Sequence, residues 1–310
     1  MRIRITVLLI FILIAGIVNG ESFVDSLGDV EDLHTAELDS LNVRFIGNWP
    51  FGWSEALVFD EARNLVFLGS GGGVFILDVS DSANPVKVSE SIHTRGSVCN
   101  LFYDGGYKKL YIVDKNLGFE IWDVTDPLNP EKLSFYNTPG NARGVYVKSY
   151  QGYAYVADGD SGLRIIDVSI PTNPQEVGFY ITNGYAEDVC IRGPYYACVA
   201  DGDSGFRVID VSNPSNPQEV GAIRDFVHAV AVDINTTGTY AYVADELYIF
   251  KIDVSIPWDP VKLNCYWVQD CACDVDCYDS LIYVADRLSG LYIIGPGHPH
   301  YDTPGQARCV

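Results

Sequence analysis

Two glutamates stand at one recurring position of the chain, where carboxylates could act as a catalytic acid and base. Glu55 and Glu187 each mark the start of a segment that is predicted to be a strand. A carboxyl pair serves this chemistry when one member is desolvated and the other is not. Arg143 occupies the same recurring position between them, and we expect mutual neutralisation instead. The chain carries no nucleophile elbow, phosphate loop or zinc-protease motif.

Acidic residues also fall in two short glycine-rich segments, which could be compared with calcium loops. Asp158 and Asp160 lie in Asp-Gly-Asp-Ser-Gly, and Asp201 and Asp203 lie in an identical segment. Calcium needs several oxygen ligands around one ion, and this segment is too short for the helix-flanked calcium loop. Asp and Gly also form tight turns directly, through backbone hydrogen bonds and positive φ. We therefore interpret both segments as turns and expect no metal or other cofactor.

The chain has eight cysteines, whose spacing does not follow any repeat. Cys190 and Cys198 flank the turn 192–194, and in antiparallel register they would face each other as a disulfide requires. Four more cysteines lie close together in the sequence: Cys265, Cys271, Cys273 and Cys277. This group lacks a partnering His or a second Cys-x-x-Cys, so we favour disulfides over zinc.

Internal repetition dominates the sequence and shows which elements must position these residues. The phrase Gly162–Ser169 returns as Gly205–Ser212, and weaker copies begin at Gly73 and Gly118. Leu247–Ser255 is a fifth copy, one residue longer, and Gly290–Gly295 is a sixth. The phrase ends on an aspartate that recurs every 43 to 45 residues, namely Asp78, Asp123, Asp167, Asp210 and Asp253. We expect its carboxylate to cap the Ser/Pro turn that follows.

Each period contains four strand signals separated by Gly, Asp and Pro turns. In the third copy they are Arg143–Lys148, Tyr153–Asp158, Leu163–Val168 and Glu176–Tyr180. Short strands in tandem groups of four are typical of propeller blades. The sequence therefore predicts an all-β fold, a six-bladed β-propeller of four-stranded antiparallel blades over residues 42–295.

The chain ends bear on how such a ring closes. The sixth copy supplies three strands before Gly295, and Asn42–Trp49 resembles a fourth strand. We expect this N-terminal strand to complete the last blade, which removes exposed sheet edges. Residues 296–310 are either a tail or the start of a further repeat, because Tyr301–Val310 closely matches Tyr136–Val145. The second alternative would mean more than six blades in a longer protein.

The N-terminus and the net charge limit location and partners. Residues 1–20 have the basic start and apolar run of a signal peptide, either cleaved or retained as an anchor, and 21–41 are a flexible segment. We expect a secreted or cell-surface protein with no membrane insertion after cleavage. The net charge of −21 argues against nucleic acid and anionic membranes as partners.

The repeated phrase resembles the LVIVD repeat family. Its versions here include Leu163-Arg164-Ile165-Ile166-Asp167, and the segment Ser212–Pro217 matches the Ser-x-Pro-x-x-Pro continuation. The resemblance implies a β-propeller on secreted and surface proteins of bacteria or archaea. It implies no defined catalytic residues.

A propeller places the start of each innermost strand and the loops between blades at one mouth of the central channel. Ionisable and aromatic residues gather at these positions: Glu55, His93, Arg95, Arg143, Tyr185, Glu187, Asp225, His228 and Asp270. The competing interpretation is a solvated mouth without a ligand. We predict a non-catalytic interaction module that presents this loop-rich face to a protein or glycan. The alternatives are a propeller hydrolase or lyase with its site at the same mouth, and a spacer unit in a larger surface protein.

Overall fold

The computed structural model describes residues 54–81, 84–269, 271–278, 281–287 and 290–295. Within these ranges the chain forms 23 β-strands in six antiparallel sheets. These residues contain no helix that is long and apolar enough to cross a membrane.

The first three sheets, which we call blades 1 to 3, follow each other along the chain and have four strands each. Blade 1 consists of β1 (Ser54–Asp60), β2 (Leu65–Ser70), β3 (Gly73–Asp78) and β4 (Val86–His93). Blade 2 consists of β5 (Val98–Asp104), β6 (Lys109–Asp114), β7 (Gly118–Asp123) and β8 (Glu131–Tyr136). Blade 3 consists of β9 (Gly144–Lys148), β10 (Tyr153–Ala157), β11 (Leu163–Asp167) and β12 (Gln175–Tyr180).

Blades 4 and 5 have the same up-and-down order, and blade 6 has three described strands. Blade 4 consists of β13 (Asp188–Arg192), β14 (Tyr196–Ala200), β15 (Phe206–Asp210) and β16 (Gln218–Ile223). Blade 5 consists of β17 (Ala229–Ile234), β18 (Tyr240–Asp245), β19 (Tyr248–Asp253) and β20 (Val261–Trp267). Blade 6 consists of β21 (Ala272–Tyr278), β22 (Leu281–Asp286) and β23 (Gly290–Ile294). The predicted six-bladed β-propeller is confirmed, whereas the predicted closing strand Asn42–Trp49 lies outside the described residues.

The first strand of each blade lies on the inside of the ring and contacts the first strand of the next, from β1 through β5, β9, β13 and β17 to β21. The core consists of apolar layers between neighbouring blades. In one layer, Tyr155 and Ile165 of blade 3 pack with Val189 and Val199 of blade 4. Four further layers join the other consecutive blades in the same way.

This layered packing explains the composition of the strands. The second and third strands lie between two blades, so both faces are covered, and β10 and β11 are apolar and buried almost throughout. The outermost strand β12 is covered less and contains only half-buried and exposed residues. The predicted strands of this copy agree with the observed ones to within one residue at each end.

Local backbone geometry explains why the repeated phrase begins with glycine and has an aspartate near its end. Gly162 and Gly205 have φ of 72° and 85°, and a Cβ on either would lie 2.3 Å from a carbonyl oxygen of the adjoining outer strand. The terminal aspartate accepts the backbone N–H two residues later in all five copies, as from Ser169 to Asp167 at 2.8 Å. The predicted cap on the Ser/Pro turn is therefore confirmed.

Candidate functional site

The aligned residues at the channel mouth share one backbone position. A β-bulge marks this position in four blades, at Glu55, Cys99, Val230 and Cys273. Arg143 and Glu187 immediately precede their inner strands, and their N–H groups donate to the carbonyls of Ala157 and Ala200. A bulge redirects the side chain away from the regular alternation of the strand. The six aligned residues thus occupy one equivalent backbone position at the start of the inner strands.

Charged side chains of blades 3, 4 and 5 meet at this mouth in a chain of contacts, which we call the charged network. Arg143 Nε donates to Glu187 Oε2 at 2.8 Å. Glu187 Oε1 lies 3.7 Å from His228 Nε2, and His228 Nδ1 lies 2.6 Å from Asp203 Oδ1. Glu187 is the most buried member, with 12% of its side chain exposed, and Asp203 is the most exposed, with 85%. Burial alone would lower the pKa of the Arg143 guanidinium. The charge and hydrogen bond of Glu187 outweigh this effect, so the pKa is raised.

Two aromatic rings cover the glycine turns beside this network. A Cβ on Gly159 would lie 2.8 Å from the Tyr185 ring, and a Cβ on Gly202 would lie 3.4 Å from the His228 ring. Both glycines have positive φ and exchange backbone hydrogen bonds with the following interblade connection. The turn interpretation of the Asp-Gly-Asp-Ser-Gly segments is confirmed. Asp160 and Asp203 follow these glycines with exposed carboxylates, and that of Asp203 contacts the His228 ring.

Other predicted site residues point elsewhere. Arg95 donates to Asn137 at 2.8 Å and lies 4.0 Å above the Phe135 ring, toward the outside of blade 2. Asp225 pairs with Lys262 at 3.2 Å. His93 ends β4 with its Nδ1 3.2 Å from the Ser91 carbonyl oxygen. The side chain of Glu55 and the whole of Asp270 lie outside the described part of the chain.

A set of buried aspartates, which sequence reasoning did not assign to the site, fixes the loops that carry it. They end or directly follow the second strand of blades 2 to 6 and are Asp114, Asp158, Asp201, Asp245 and Asp286. Most bind the N–H groups of the connection entering their own blade, as Gly140 donates to Asp158 at 2.8 Å. Asp245 accepts from both Val227 and His228, so it positions the imidazole of the charged network. The available signal was an aspartate at the end of the second strand in five repeats.

Buried arginines balance two of these aspartates. Arg207 is bound between Asp201 and Glu219, and these hydrogen bonds raise its pKa although burial opposes the shift. Arg164 lies 3.6 Å from Asp158 and 3.4 Å from Glu176 in the corresponding arrangement of blade 3.

Blade 2 reverses this arrangement. Glu120 stands where blades 3 and 4 have arginine, and Lys132 stands where they have glutamate. Glu120 binds Lys132 and accepts from Trp122 Nε1 at 2.9 Å. Burial and the charge of Glu120 raise the pKa of Asp114 to about 7. Two carboxyl groups therefore compete for one lysine beneath the connection that carries Arg95.

The cysteines of the hairpin 188–200 lie where the sequence predicted. Cys190 and Cys198 are direct partners in the antiparallel register, and both are buried thiols in this structure. Burial raises the pKa of the Cys190 thiol. The disulfide between them stays a prediction. In the described ranges, no three His, Cys, Asp or Glu side chains converge as a metal site requires.

The opposite face of the ring carries features that sequence reasoning missed. A cleft of about 570 Å³ opens between the hairpin turns of blades 1 and 2, lined by residues that include Phe59, Tyr103 and Lys108. Large apolar side chains are exposed on the turns of this face: Tyr107, Leu128, Tyr150, Ile170 and Trp258. These residues are far apart in the sequence, so the sequence alone did not indicate that they lie on one face.

Four tandem segments of the chain match the LVIVD repeat, at residues 95–138, 139–182, 183–225 and 230–266. Together they cover more than half of the chain. The protein belongs to the LVIVD repeat family. Each LVIVD repeat corresponds to one blade, from blade 2 to blade 5, and the first three begin in the connection that enters the blade.

Solved structures share the architecture at low sequence identity. A Lactobacillus plantarum protein is 11% identical with a TM-score of 0.69, covering 84% of this chain and 86% of that one. The β-propeller domain of Cps50 (Swd1) from Myceliophteria thermophila is 12% identical with a TM-score of 0.62, covering 77% and 81%. The computationally designed Ika8 protein is 11% identical with a TM-score of 0.61, covering 83% and 76%. These likenesses concern the fold alone. No curated protein matches the chain.

Proposed function

We propose that this LVIVD propeller is a non-catalytic interaction module, secreted or on the cell surface, that binds its partner at the channel mouth of blades 3 to 5. The charged network of Arg143, Glu187, His228 and Asp203 carries this proposal. Its members come from three blades, and buried aspartates hold the connections on which they stand. A preorganised set of charges at a rigid surface favours recognition, because little ordering is needed on binding.

A basic protein segment fits this mouth better than a neutral glycan. Glu187, Asp203 and Asp160 contribute carboxylates at the mouth, beside the guanidinium of Arg143. The whole chain carries a net charge of −21, which attracts cations over a distance. Glu187 is bound to Arg143, which supports a binding role for this carboxylate rather than an acid–base role.

The test is a titration with a fluorescent lysine-rich peptide. Glu187→Gln combined with Asp203→Asn is expected to weaken binding about tenfold, which corresponds to about 1.4 kcal/mol. Binding to the unsubstituted protein is expected to fall as salt concentration rises, because the contacts are partly exposed.

The matched control is Asp126→Asn combined with Asp259→Asn, two exposed carboxylates on turns of the opposite face. This variant has the same net charge and is expected to keep its affinity. Equal weakening by both double variants would show a general charge effect and contradict the site. If a neutral oligosaccharide binds and only the first variant abolishes its binding, the proposed site is correct and the proposed class of ligand is wrong.

A further inference from the structure

The outermost strand of blade 5 has an apolar, exposed surface. In β20, Val261, Leu263 and Trp267 are 48%, 46% and 51% exposed, and Cys265 is an exposed thiol. Leu247 and Tyr248 extend the patch, because Tyr248 lies opposite Trp267 in the sheet and both residues are exposed. Exposed patches of this kind mark sites of association.

The charge of β20 also distinguishes it from the other four described outermost strands. Each of the others carries a carboxylate, namely Glu90 in β4, Glu131 in β8, Glu176 in β12 and Glu219 in β16. β20 has none, and its one charged residue is Lys262. Lys262 is engaged with Asp225 and lies 3.7 Å and 4.0 Å above the rings of Phe226 and Phe250.

The backbone of β20 leaves one edge available. Among the strands that the structure describes, β20 is the last of its sheet and pairs with β19 alone. Its bulge lies near Leu263, and from Asn264 to Trp267 the pairing with β19 is regular. A regular edge strand has N–H and C=O groups that another strand can bind. Without a carboxylate in β20, such pairing brings no buried negative charge from this strand.

We propose that β20 pairs antiparallel with β20 of a second copy of this chain. A two-fold axis at Cys265 places Leu263 opposite Trp267 of the partner copy, so these two apolar residues meet on both sides of the axis, and Asn264 lies opposite Tyr266. The charge of the molecule favours this edge over the others. Two chains of net charge −21 repel each other, and pairing through β8, β12 or β16 would add one glutamate per chain to the interface.

Sedimentation velocity of the full chain in reducing buffer, over a concentration series, tests the proposal without any contribution from disulfides. A dimer is expected. Trp267→Glu and Leu263→Lys are each expected to raise its dissociation constant at least about tenfold. Ile181→Glu is the matched control, because Ile181 follows Tyr180 of β12 as Trp267 follows Tyr266, and both are 51% exposed. This control is expected to leave the dimer intact.

Mixing the two β20 variants tests the register. In the proposed pairing, Lys at position 263 of one variant meets Glu at position 267 of the other, while Trp267 and Leu263 meet on the second side. The mixture is therefore expected to form a heterodimer more tightly than either variant associates with itself. A monomer at all concentrations, a dimer that tolerates Trp267→Glu, or equal loss with Ile181→Glu would each overturn the proposal.

Discussion

At the scale of single residues, function and stability depend on where the protein places charge. Arg207 and Arg164 are buried with two carboxylates each, so their charges are compensated. In the charged network, by contrast, His228 and Asp203 are 39% and 85% exposed at the channel mouth. Asp114 is the exception, because both of its carboxylate oxygens are buried without a hydrogen-bonding partner of normal geometry among the described residues.

Asp114 makes stability depend on pH. Burial and the charge of Glu120 raise its pKa from 3.8 to about 7, so the folded state binds this proton more tightly than the unfolded state. The stabilisation is complete below about pH 4 and is lost as pH rises through about 7. In Asp114→Asn the amide cannot ionise, so this variant does not lose that stabilisation as pH rises. The free energy of unfolding of the variant, relative to the unsubstituted protein, is expected to rise with pH by up to about 1.4 kcal/mol per unit.

Urea denaturation at several pH values between about 4 and 8 checks this prediction. Asp160→Asn serves as the control, because Asp160 is exposed on a turn. Its effect on the free energy of unfolding is expected to be small at every pH. A constant difference between Asp114→Asn and the unsubstituted protein across this range would rule out the titration of Asp114.

At the scale of elements, the outermost strands of blades 2, 3 and 4 each contact the following blade at the turn between its third and fourth strands. Gly178 of β12 lies under Pro214, and Gly221 of β16 lies under Pro257. In β8 the corresponding residue is Ser134, whose hydroxyl donates to the Pro171 carbonyl at 2.5 Å. The prolines of the repeated turn therefore pack between blades as well as ending strands.

Gly178→Ala tests this contact. The new Cβ would lie 2.1 Å from the Pro214 carbonyl oxygen, so blades 3 and 4 must shift apart. The free energy of unfolding is expected to fall by about 1–3 kcal/mol, as measured by urea denaturation. Gly72→Ala is the control, because its Cβ would come no closer than 3.7 Å to a neighbouring atom. Equal losses for both variants would refute close packing at Gly178.

The elements were largely predictable from the sequence, and the site only in part. Strands and turns follow from a local sequence repeat, so the strand pattern of one copy predicts the strand pattern of the other copies. Arg143 and Glu187 were found because the repeat aligns them. The outward course of Arg95 depends on Phe135 and Asn137, which lie some forty residues away in the chain, and no local pattern indicates it. Asp203 was interpreted only as a turn residue, although the turn carries it to His228.

At the scale of the whole molecule, the ring separates three surfaces. The charged network lies at one mouth of the channel, apolar turn residues lie on the opposite face, and β20 forms an apolar edge at the circumference. The interblade apolar layers make the ring a stiff support for all three. The charged network and the β20 edge lie on different strands, so the proposed binding at the mouth and the proposed pairing through β20 are compatible with each other.

Hydrogen–deuterium exchange with and without a lysine-rich peptide tests the proposed binding face most directly. We predict slower exchange in the channel-mouth segments 183–187, 201–205 and 224–228 when the peptide is bound. The hairpin turns 104–108 and 148–152 of the opposite face are expected to exchange at unchanged rates. Protection confined to those turns, or no protection at the channel mouth, would contradict the account.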